Sequence, residues 1–231
     1  MSTIFLTVQT GMVVRDLLRC GPLGRVLQHP EARVVLLTPG VRDPAFVEEF
    51  AHDRVAVVPH QPYGPSTMVW RLMNRRWRHA RSAWQADAVH RLEERLIPDT
   101  YVDLFRTYRP SLVVSGDPLR PGDASLIATA RRQGVPSLGS VRSWDNILKH
   151  LRTRPDSLTV WNAANAREAV EVDRFRLEQV RQVGAPQLDV YFRGPSPERD
   201  GLCDQMGLDP RKRILVLATS SFTYDLSLIH I

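Results

Sequence analysis

The sequence predicts a doubly wound α/β fold of the Rossmann type, with a mainly parallel β-sheet and helices on both faces. Short, continuous apolar runs recur along the chain, as expected of strands that are buried on both faces. Most of these runs are followed by a stretch whose apolar residues have helical spacing. Glycine, proline or small polar residues separate the two kinds of segment. Repeated βαβ units of this kind form parallel sheets with right-handed crossovers.

The strand and helix pattern begins at the amino terminus. Residues 4–8 are a β-branched and aromatic run that ends in a Gln-Thr-Gly loop, and a helical stretch follows. Further strands are predicted at 32–38, 54–59, 111–115, 135–140, 158–161 and 180–183. Helices are predicted at 45–51, 124–133 and 165–172. A long helical stretch over 66–108 is expected to break near Pro98.

The composition changes after residue 193, which predicts a domain boundary. We expect a Rossmann-like domain over 1–193, an interdomain linker rich in Gly, Pro, Ser and acidic residues over 194–212, and the truncated start of a second α/β domain over 213–231. Residues 214–218 are predicted as the first strand of that second domain. A strand without neighbours cannot bury its faces, so we expect a truncated product whose residues 225–231 do not belong to the native continuation.

The charge balance favours anionic partners. The chain has 31 Lys and Arg against 25 Asp and Glu, a formal net charge of +6, which suits phosphates, nucleic acid or acidic lipid. Cys20 and Cys203 are far apart and the histidines are scattered, so no metal site is predicted. No signal peptide and no apolar stretch of about 18 residues is found, which predicts a cytoplasmic protein, peripheral at most on the inner membrane face.

Two loops at predicted strand ends contain candidate site residues. Gln9, Thr10 and Gly11 follow the first strand and open a helix, where backbone N–H groups and the helix dipole hold an anionic or hydroxylic ligand. A single glycine there is also an ordinary turn requirement. Asp117 follows strand 111–115, where a carboxylate can take a proton from an acceptor hydroxyl. Aspartate is also a common turn former.

A denser group, Ser143-Trp144-Asp145-Asn146, follows strand 135–140. Trp144 is suited to stack on a sugar ring while Asp145 and Asn146 bond its hydroxyls, or Asp145 acts as a general base. The alternative is a helix cap in which Asp145 or Asn146 satisfies the backbone and Trp144 packs in the core.

The predicted helix over 70–84 has a tryptophan at every seventh position with arginines beside it. These residues are Trp70, Trp77 and Trp84, with Arg71, Arg75, Arg76, Arg78 and Arg81. This composition is typical of a helix lying on an acidic membrane surface, which suits a lipid-linked acceptor. The alternative is a core stripe with a solvated basic face. Nucleic acid is disfavoured as a partner, because no recognised nucleic-acid motif accompanies the arginines.

The region over about 135–192 resembles a known family. The "SWDN" loop at 143–146, the "VWN" strand at 160–162, an Asn/Glu-rich helix and the closing "VGAPQLD" at 183–189 resemble bacterial GT-B glycosyltransferases of surface-polysaccharide assembly, akin to the glycerophosphotransferase-like ones. The resemblance implies that this chain is the N-terminal, acceptor-binding half. It also implies that a nucleotide-sugar donor binds mainly to the C-terminal half.

Three functions follow from the residues and the resemblance together. The first is glycosyl or glycerophosphate-like transfer from a nucleotide-activated donor to a polysaccharide or lipid-linked acceptor, with Asp145 or Asp117 as the base if the reaction inverts; retention stays open. No cofactor is expected, since the nucleotide-sugar is a substrate. The second is a sugar-nucleotide epimerase of the same fold, and the third is a non-catalytic module that binds an anionic glycan or membrane. We expect the chain alone to be inactive, because half of the cleft is missing.

Overall fold

The computed structural model describes residues 2–61, 88, 91–92, 95–144, 147, 151, 153–192, 194 and 198–216. Its strands are β1 (Ser2–Thr7), β2 (Ala32–Thr38), β3 (Val55–Pro59), β4 (Leu112–Ser115), β5 (Ser137–Ser140), β6 (Ser157–Val160) and β7 (Val180–Gln182). Within these ranges they form one sheet in the order β3-β2-β1-β4-β5-β6-β7, and each adjacent pair is parallel.

Helices separate most of the strands. They are α1 (Gly11–Val13), which continues as a π-helix over Val14–Arg19, α2 (Pro22–Leu27), α3 (Pro44–Glu49), α4 (Val102–Tyr108), α5 (Pro121–Arg132), α6 (Ala163–Glu171) and α7 (Arg199–Met206). In the ranges given above, no helix has the length and apolar content needed to cross a bilayer.

The strand order confirms the predicted doubly wound α/β fold. The chain builds β1, β2 and β3 outward in one direction, then returns to the other side of β1 for β4 and continues outward to β7. The direction of winding therefore reverses between β1 and β4. In open α/β sheets, this reversal leaves a crevice at the carboxyl ends of the two central strands, where ligands bind.

Apolar residues of the central strands are buried on both faces of the sheet. On one face Phe5 packs against Phe105 of α4 with ring centroids 5.3 Å apart, in a core that also contains Val113 and Leu126. On the other face Leu6, Val34 and Leu36 join a core with Val13 and Leu17 from the first helix and its π-helical continuation. Neighbouring residues of a strand point to opposite faces, so the two cores need continuous apolar runs rather than alternating ones.

A helix forms in the carboxyl-terminal part of the chain. Contacts divide the chain into two compact units, Met1–Val190 and Tyr191–Ile231, and α7 forms inside the predicted linker. The strand predicted at 214–218 is absent from its described residues, 214–216. Leu215 and Val216 are 96% and 85% exposed. Apolar residues alone do not make a strand, because a strand needs a partner for its backbone hydrogen bonds.

Gly116, at the end of β4, is packed too tightly for any side chain. A Cβ there would lie 2.5 Å from the carbonyl oxygen of Thr7 and 2.5 Å from Cγ1 of Val13.

We therefore expect Gly116→Ala to destabilise the protein by about 1–3 kcal/mol in urea denaturation. Gly24→Ala on α2 is the matched control, because that Cβ would meet nothing within 4 Å. It should stabilise the protein by about 0.5–1 kcal/mol. Equal unfolding midpoints for the two variants would contradict the tight packing at residue 116.

Candidate functional site

Polar loops meet at the carboxyl edge of the sheet where its winding reverses. The loop that starts at Val8 follows β1, Gly116 follows β4, and Val141 follows β5, and these three strands are adjacent in the sheet. The predicted loops around Gln9, Asp117 and residue 143 therefore begin at one edge, as the parallel topology requires.

Asp123 is the hub of this edge. Its carboxylate is completely buried in the first turn of α5. It accepts hydrogen bonds from Oγ1 of Thr7 at 2.5 Å, from Oγ of Ser115 at 2.5 Å, from the side-chain amide of Gln9, and from the backbone N–H of Asp117 at 3.1 Å. These bonds tie the ends of β1 and β4 to the start of α5. The carboxylate thus sets the positions of both loops that follow these strands.

His60 places an imidazole ring beside this carboxylate. It follows β3 directly and is buried, with Nε2 3.4 Å from Oδ1 of Asp123. Gly122 makes room for the imidazole, since a Cβ there would lie 2.1 Å from its Cε1. The ring also lies edge-on to Tyr101, whose hydroxyl donates to the carbonyl oxygen of Gln61 at 3.0 Å. Burial, with the nearby charge of Asp123 adding to it, raises the pKa of Tyr101, so the phenol stays neutral.

Asp117 lies between two guanidinium groups. Nε of Arg120 donates to its Oδ2 at 3.1 Å, and Nη2 of Arg142, from the loop after β5, lies 3.3 Å from the same oxygen. Oδ1 is buried and has no hydrogen-bond partner within the part of the chain that the structure describes. Burial raises the pKa of Asp117, and the two arginines oppose that rise. The result is a carboxylate on which two cations from different loops converge.

The Gln-Thr-Gly loop contributes unequally to the site. Gln9 belongs to the network of Asp123. Thr10 precedes α1 without capping it, and its hydroxyl oxygen is buried with no partner in the described ranges. Gly11 begins α1, and a Cβ on it would meet nothing within 4 Å. Its φ lies outside the left-handed region, so the interpretation of Gly11 as a turn requirement is wrong.

Trp144 is exposed at the surface. The residue as a whole is 65% exposed. Its carbonyl oxygen accepts a hydrogen bond from Nδ2 of Asn165 at 2.9 Å. The alternative in which Trp144 packs in the core is therefore wrong. Ser143 beside it is half-buried. An exposed indole at a strand carboxyl end is available for stacking on a ligand.

Several predicted site residues lie outside the described residues. They are Asp145, Asn146, Trp70, Arg71, Arg75, Arg76, Trp77, Arg78, Arg81 and Trp84. Their roles stay predictions.

Three residues of the site were not predicted from the sequence: Asp123, His60 and Arg142. The helix was predicted from residue 124, one position too late to include Asp123, whereas α5 begins at Pro121. Proline is common at the first position of a helix, and an acidic residue in the first turn is favourable, so "PGD" was a usable signal. His60 and Arg142 each come within two residues of a strand end. Polar residues directly after a strand, such as His60 and Arg142, are therefore site candidates in the same way as Gln9 and Asp117.

Replacing Asp123 tests the hub. Asp123→Asn is expected to destabilise the protein by about 3 kcal/mol, since one carboxylate oxygen becomes an NH₂ group facing buried donors. Guanidinium denaturation measures this change. Asp103→Asn on α4 is the matched control, because its carboxylate side chain is 95% exposed. The control should change stability by less than about 1 kcal/mol. A stability of Asp123→Asn equal to that of the control would show that the buried carboxylate is not required.

The raised pKa of Asp117 predicts a pH dependence. A folded-state pKa above the ordinary value of 3.8 means that the folded protein holds this proton to higher pH than the unfolded chain does. The contribution of Asp117 to stability is therefore present at low pH and is lost as the pH rises from about 4 through the folded-state pKa. Asp117→Asn should remove this component, so that the stability of the variant relative to wild type increases between pH 4 and pH 7. Denaturation curves across this range check the sign, and an opposite trend would contradict the raised pKa.

Comparisons with known proteins support the fold and leave the family open. Neither protein-family models nor curated protein sequences match the chain. Among solved structures, it is similar to a glycosyltransferase from Rickettsia africae, with 10% identity and a TM-score of 0.52 over 90% of this chain and 50% of that one. It is also similar to a putative UDP-N-acetylglucosamine 2-epimerase from Listeria monocytogenes, with 10% identity and a TM-score of 0.51 over 88% of this chain and 51% of that one. The chain spans about half the length of these proteins. At 10% identity, these similarities show a shared fold and nothing finer.

Proposed function

We propose that this chain is the acceptor-side half of an enzyme that transfers a glycosyl group from a nucleotide-activated sugar to a polysaccharide or lipid-linked acceptor. The observation that carries the proposal is the hydrogen-bond network at the reversal of the sheet, where Asp123 holds the loops after β1 and β4 together. The carboxyl edge at such a reversal is the usual ligand site of an open α/β sheet. The GT-B fold adds to this argument, because that fold is associated with sugar-nucleotide chemistry.

The loop after β5 provides the contacts that a sugar acceptor needs. The exposed indole of Trp144 offers an apolar face for a pyranose ring. Ser143 supplies a hydroxyl next to it, and Asp145 and Asn146 follow in the sequence with a carboxylate and an amide. Gln9 and Thr10 lie after β1, two strands away in the sheet. We assign these residues to acceptor binding.

Asp145 is the proposed general base. It takes the proton of the acceptor hydroxyl while that oxygen attacks the anomeric carbon of the donor. The bond from the anomeric carbon to the phosphate oxygen breaks, and the nucleotide leaves with the electron pair. Asp117 is the second candidate, since burial raises its pKa toward that of a better proton acceptor. Its pairing with Arg120 and Arg142 favours a different role, in which it positions two cations close to the anionic leaving group.

A sugar-nucleotide epimerase is the second candidate function. Its support is the TM-score of 0.51 to the Listeria protein, which barely differs from the 0.52 to the Rickettsia glycosyltransferase. The two functions differ in their requirement for an acceptor. An epimerase converts its sugar-nucleotide with no acceptor present, whereas a transferase releases the nucleotide only as the acceptor is glycosylated, apart from slow hydrolysis.

The test uses the enzyme that pairs this half with a donor-binding half. Asp145→Asn should lower kcat by about 10²–10⁴-fold, as expected when a general base is lost. Trp144→Ala should mainly raise the KM for the acceptor, because stacking contributes to binding rather than to the chemical step. Asp103→Asn on the exposed face of α4 is the control and should leave both constants unchanged.

Chromatography of the products with and without acceptor separates transfer from epimerisation. An isomerised sugar-nucleotide formed without acceptor would replace the transferase proposal by the epimerase. Wild-type kcat in the double variant Asp117→Asn/Asp145→Asn would overturn the assignment of the base.

A further inference from the structure

An arginine-lined hollow lies at the edge of the sheet opposite the crevice. It has a volume of about 260 Å³, and its lining includes Arg91, Arg131, Arg154, Arg174 and Asp156. Asp156 directly precedes β6, and Arg154 lies three residues before that strand. Arg174 lies six residues before β7, and Arg131 is in the last turn of α5. In a parallel sheet these positions share the amino edge of the strands. The proposed glycosyl-transfer site is at the other edge, so the hollow is a separate feature.

Two of the arginines are held in place by backbone carbonyl groups. Arg131 donates to the carbonyl oxygen of Arg154, and Nη1 of Arg154 donates to the carbonyl oxygens of Asp173 at 3.2 Å and Arg174 at 3.4 Å. These bonds link the segments before β6 and β7. Guanidinium groups fixed in this way lose less entropy when a ligand binds than free side chains do.

The carboxylate in the lining is engaged by the start of a strand. Oδ2 of Asp156 accepts from the backbone N–H and from the hydroxyl of Ser137, both at 2.8 Å. Two donors on one oxygen stabilise its negative charge and weaken its repulsion of a bound anion. Among the described residues of the lining, the other charged groups are arginines.

Arg174 has a backbone conformation that favours glycine. Its φ is 59°, in the left-handed region, just after the end of α6, and the residue is exposed. Helices commonly end with a left-handed residue, usually glycine, because a Cβ is strained there. Strained non-glycine residues are concentrated at ligand sites, and the side chain of Arg174 lines this hollow.

We propose that this hollow binds the phosphate group of a phosphate ester or pyrophosphate. Guanidinium groups present paired N–H donors that match two oxygens of one phosphate, and several of them together suit a dianion. A second hollow of about 210 Å³ shares Arg91 and Arg131 and adds Arg95 and Arg132. The shared arginines join the two hollows into one surface, on which Arg132 is paired with Asp99. Pyrophosphate, which carries two linked phosphate groups, is the soluble probe.

Arg174→Gly separates binding from folding. It removes one guanidinium and also relieves the left-handed strain, so the fold should be retained. Isothermal titration of the whole chain with pyrophosphate should show about ten-fold weaker binding than wild type, as expected for the loss of one charge-assisted contact. Arg109→Gly is the matched control, since Arg109 is also exposed and left-handed, with a φ of 46°, and does not line either hollow. It should change the affinity by less than about two-fold.

The source of the phosphate is distinguished by a second measurement. Co-sedimentation with phosphatidylglycerol vesicles, against phosphatidylcholine vesicles, tests a phosphate presented by lipid. Weaker binding in Arg174→Gly, with unchanged binding in Arg109→Gly, supports the proposal. If the weaker binding is to pyrophosphate, the ligand is a soluble phosphate; if it is to phosphatidylglycerol vesicles, the phosphate is presented by lipid. Wild-type binding in Arg174→Gly, an equal loss in both variants, or no binding of either probe by the wild-type chain at moderate salt overturns it.

Discussion

The buried carboxylate of Asp123 is the constraint on which the rest of the site depends. Removing a charge from water costs several kcal/mol, and that cost is offset here by hydroxyl, amide and backbone donors that converge on two oxygens. The donors come from β1, from β4 and from the loops that follow them. Any shift of one strand end would leave a buried donor or acceptor unpaired. The geometry at the reversal of the sheet is therefore specified by hydrogen bonding as well as by apolar packing.

This constraint has a consequence for the loops above it. Residue 116 must be glycine because the backbone at the end of β4 approaches the carbonyl oxygen of Thr7 too closely for a Cβ. The hydroxyl groups of Thr7 and Ser115 both donate to Oδ2 of Asp123. The position of Asp117 is then fixed in two ways. Its backbone N–H donates to Asp123, and its carboxylate pairs with Arg120 and Arg142. Binding residues that start from fixed backbone positions are already arranged before the ligand arrives, which is what pre-organised binding requires.

The two edges of the sheet have different chemistry. At the carboxyl edge, carboxylates are buried and paired, which suits the binding and activation of hydroxyl groups. At the amino edge, arginines line an open hollow, which suits an anion. The strand–helix–strand order explains why the arginines gather there, since the last turn of each helix leads into the start of the next parallel strand. Basic residues such as Arg131 and Arg132 are also favourable in the last turn of a helix, where they complement its dipole.

The strands were predicted to within two residues because a buried parallel strand needs a continuous apolar run, and that requirement is local. Residues 32–38 coincide with β2, and the other runs differ only at their ends. Residues 214–216, the described part of the strand predicted at 214–218, are not in a strand, and no strand pairs with them among the described residues. Burial of a strand is a property of its neighbours, so an apolar pattern is necessary for it and not sufficient.

The sequence by itself determined the fold class, the common edge of the loops after β1, β4 and β5, and the resemblance to GT-B proteins. Only the tertiary structure decided which polar residues form the site. Asp123 meets Thr7 from 116 positions away and Gln9 from 114. Periodicity reports the environment of a residue along one element, and it carries no information on which side chains of distant elements share a buried hydrogen bond. The exposure of Trp144 and the left-handed backbone of Arg174 were likewise decided by packing, because both depend on what surrounds the residue rather than on its type.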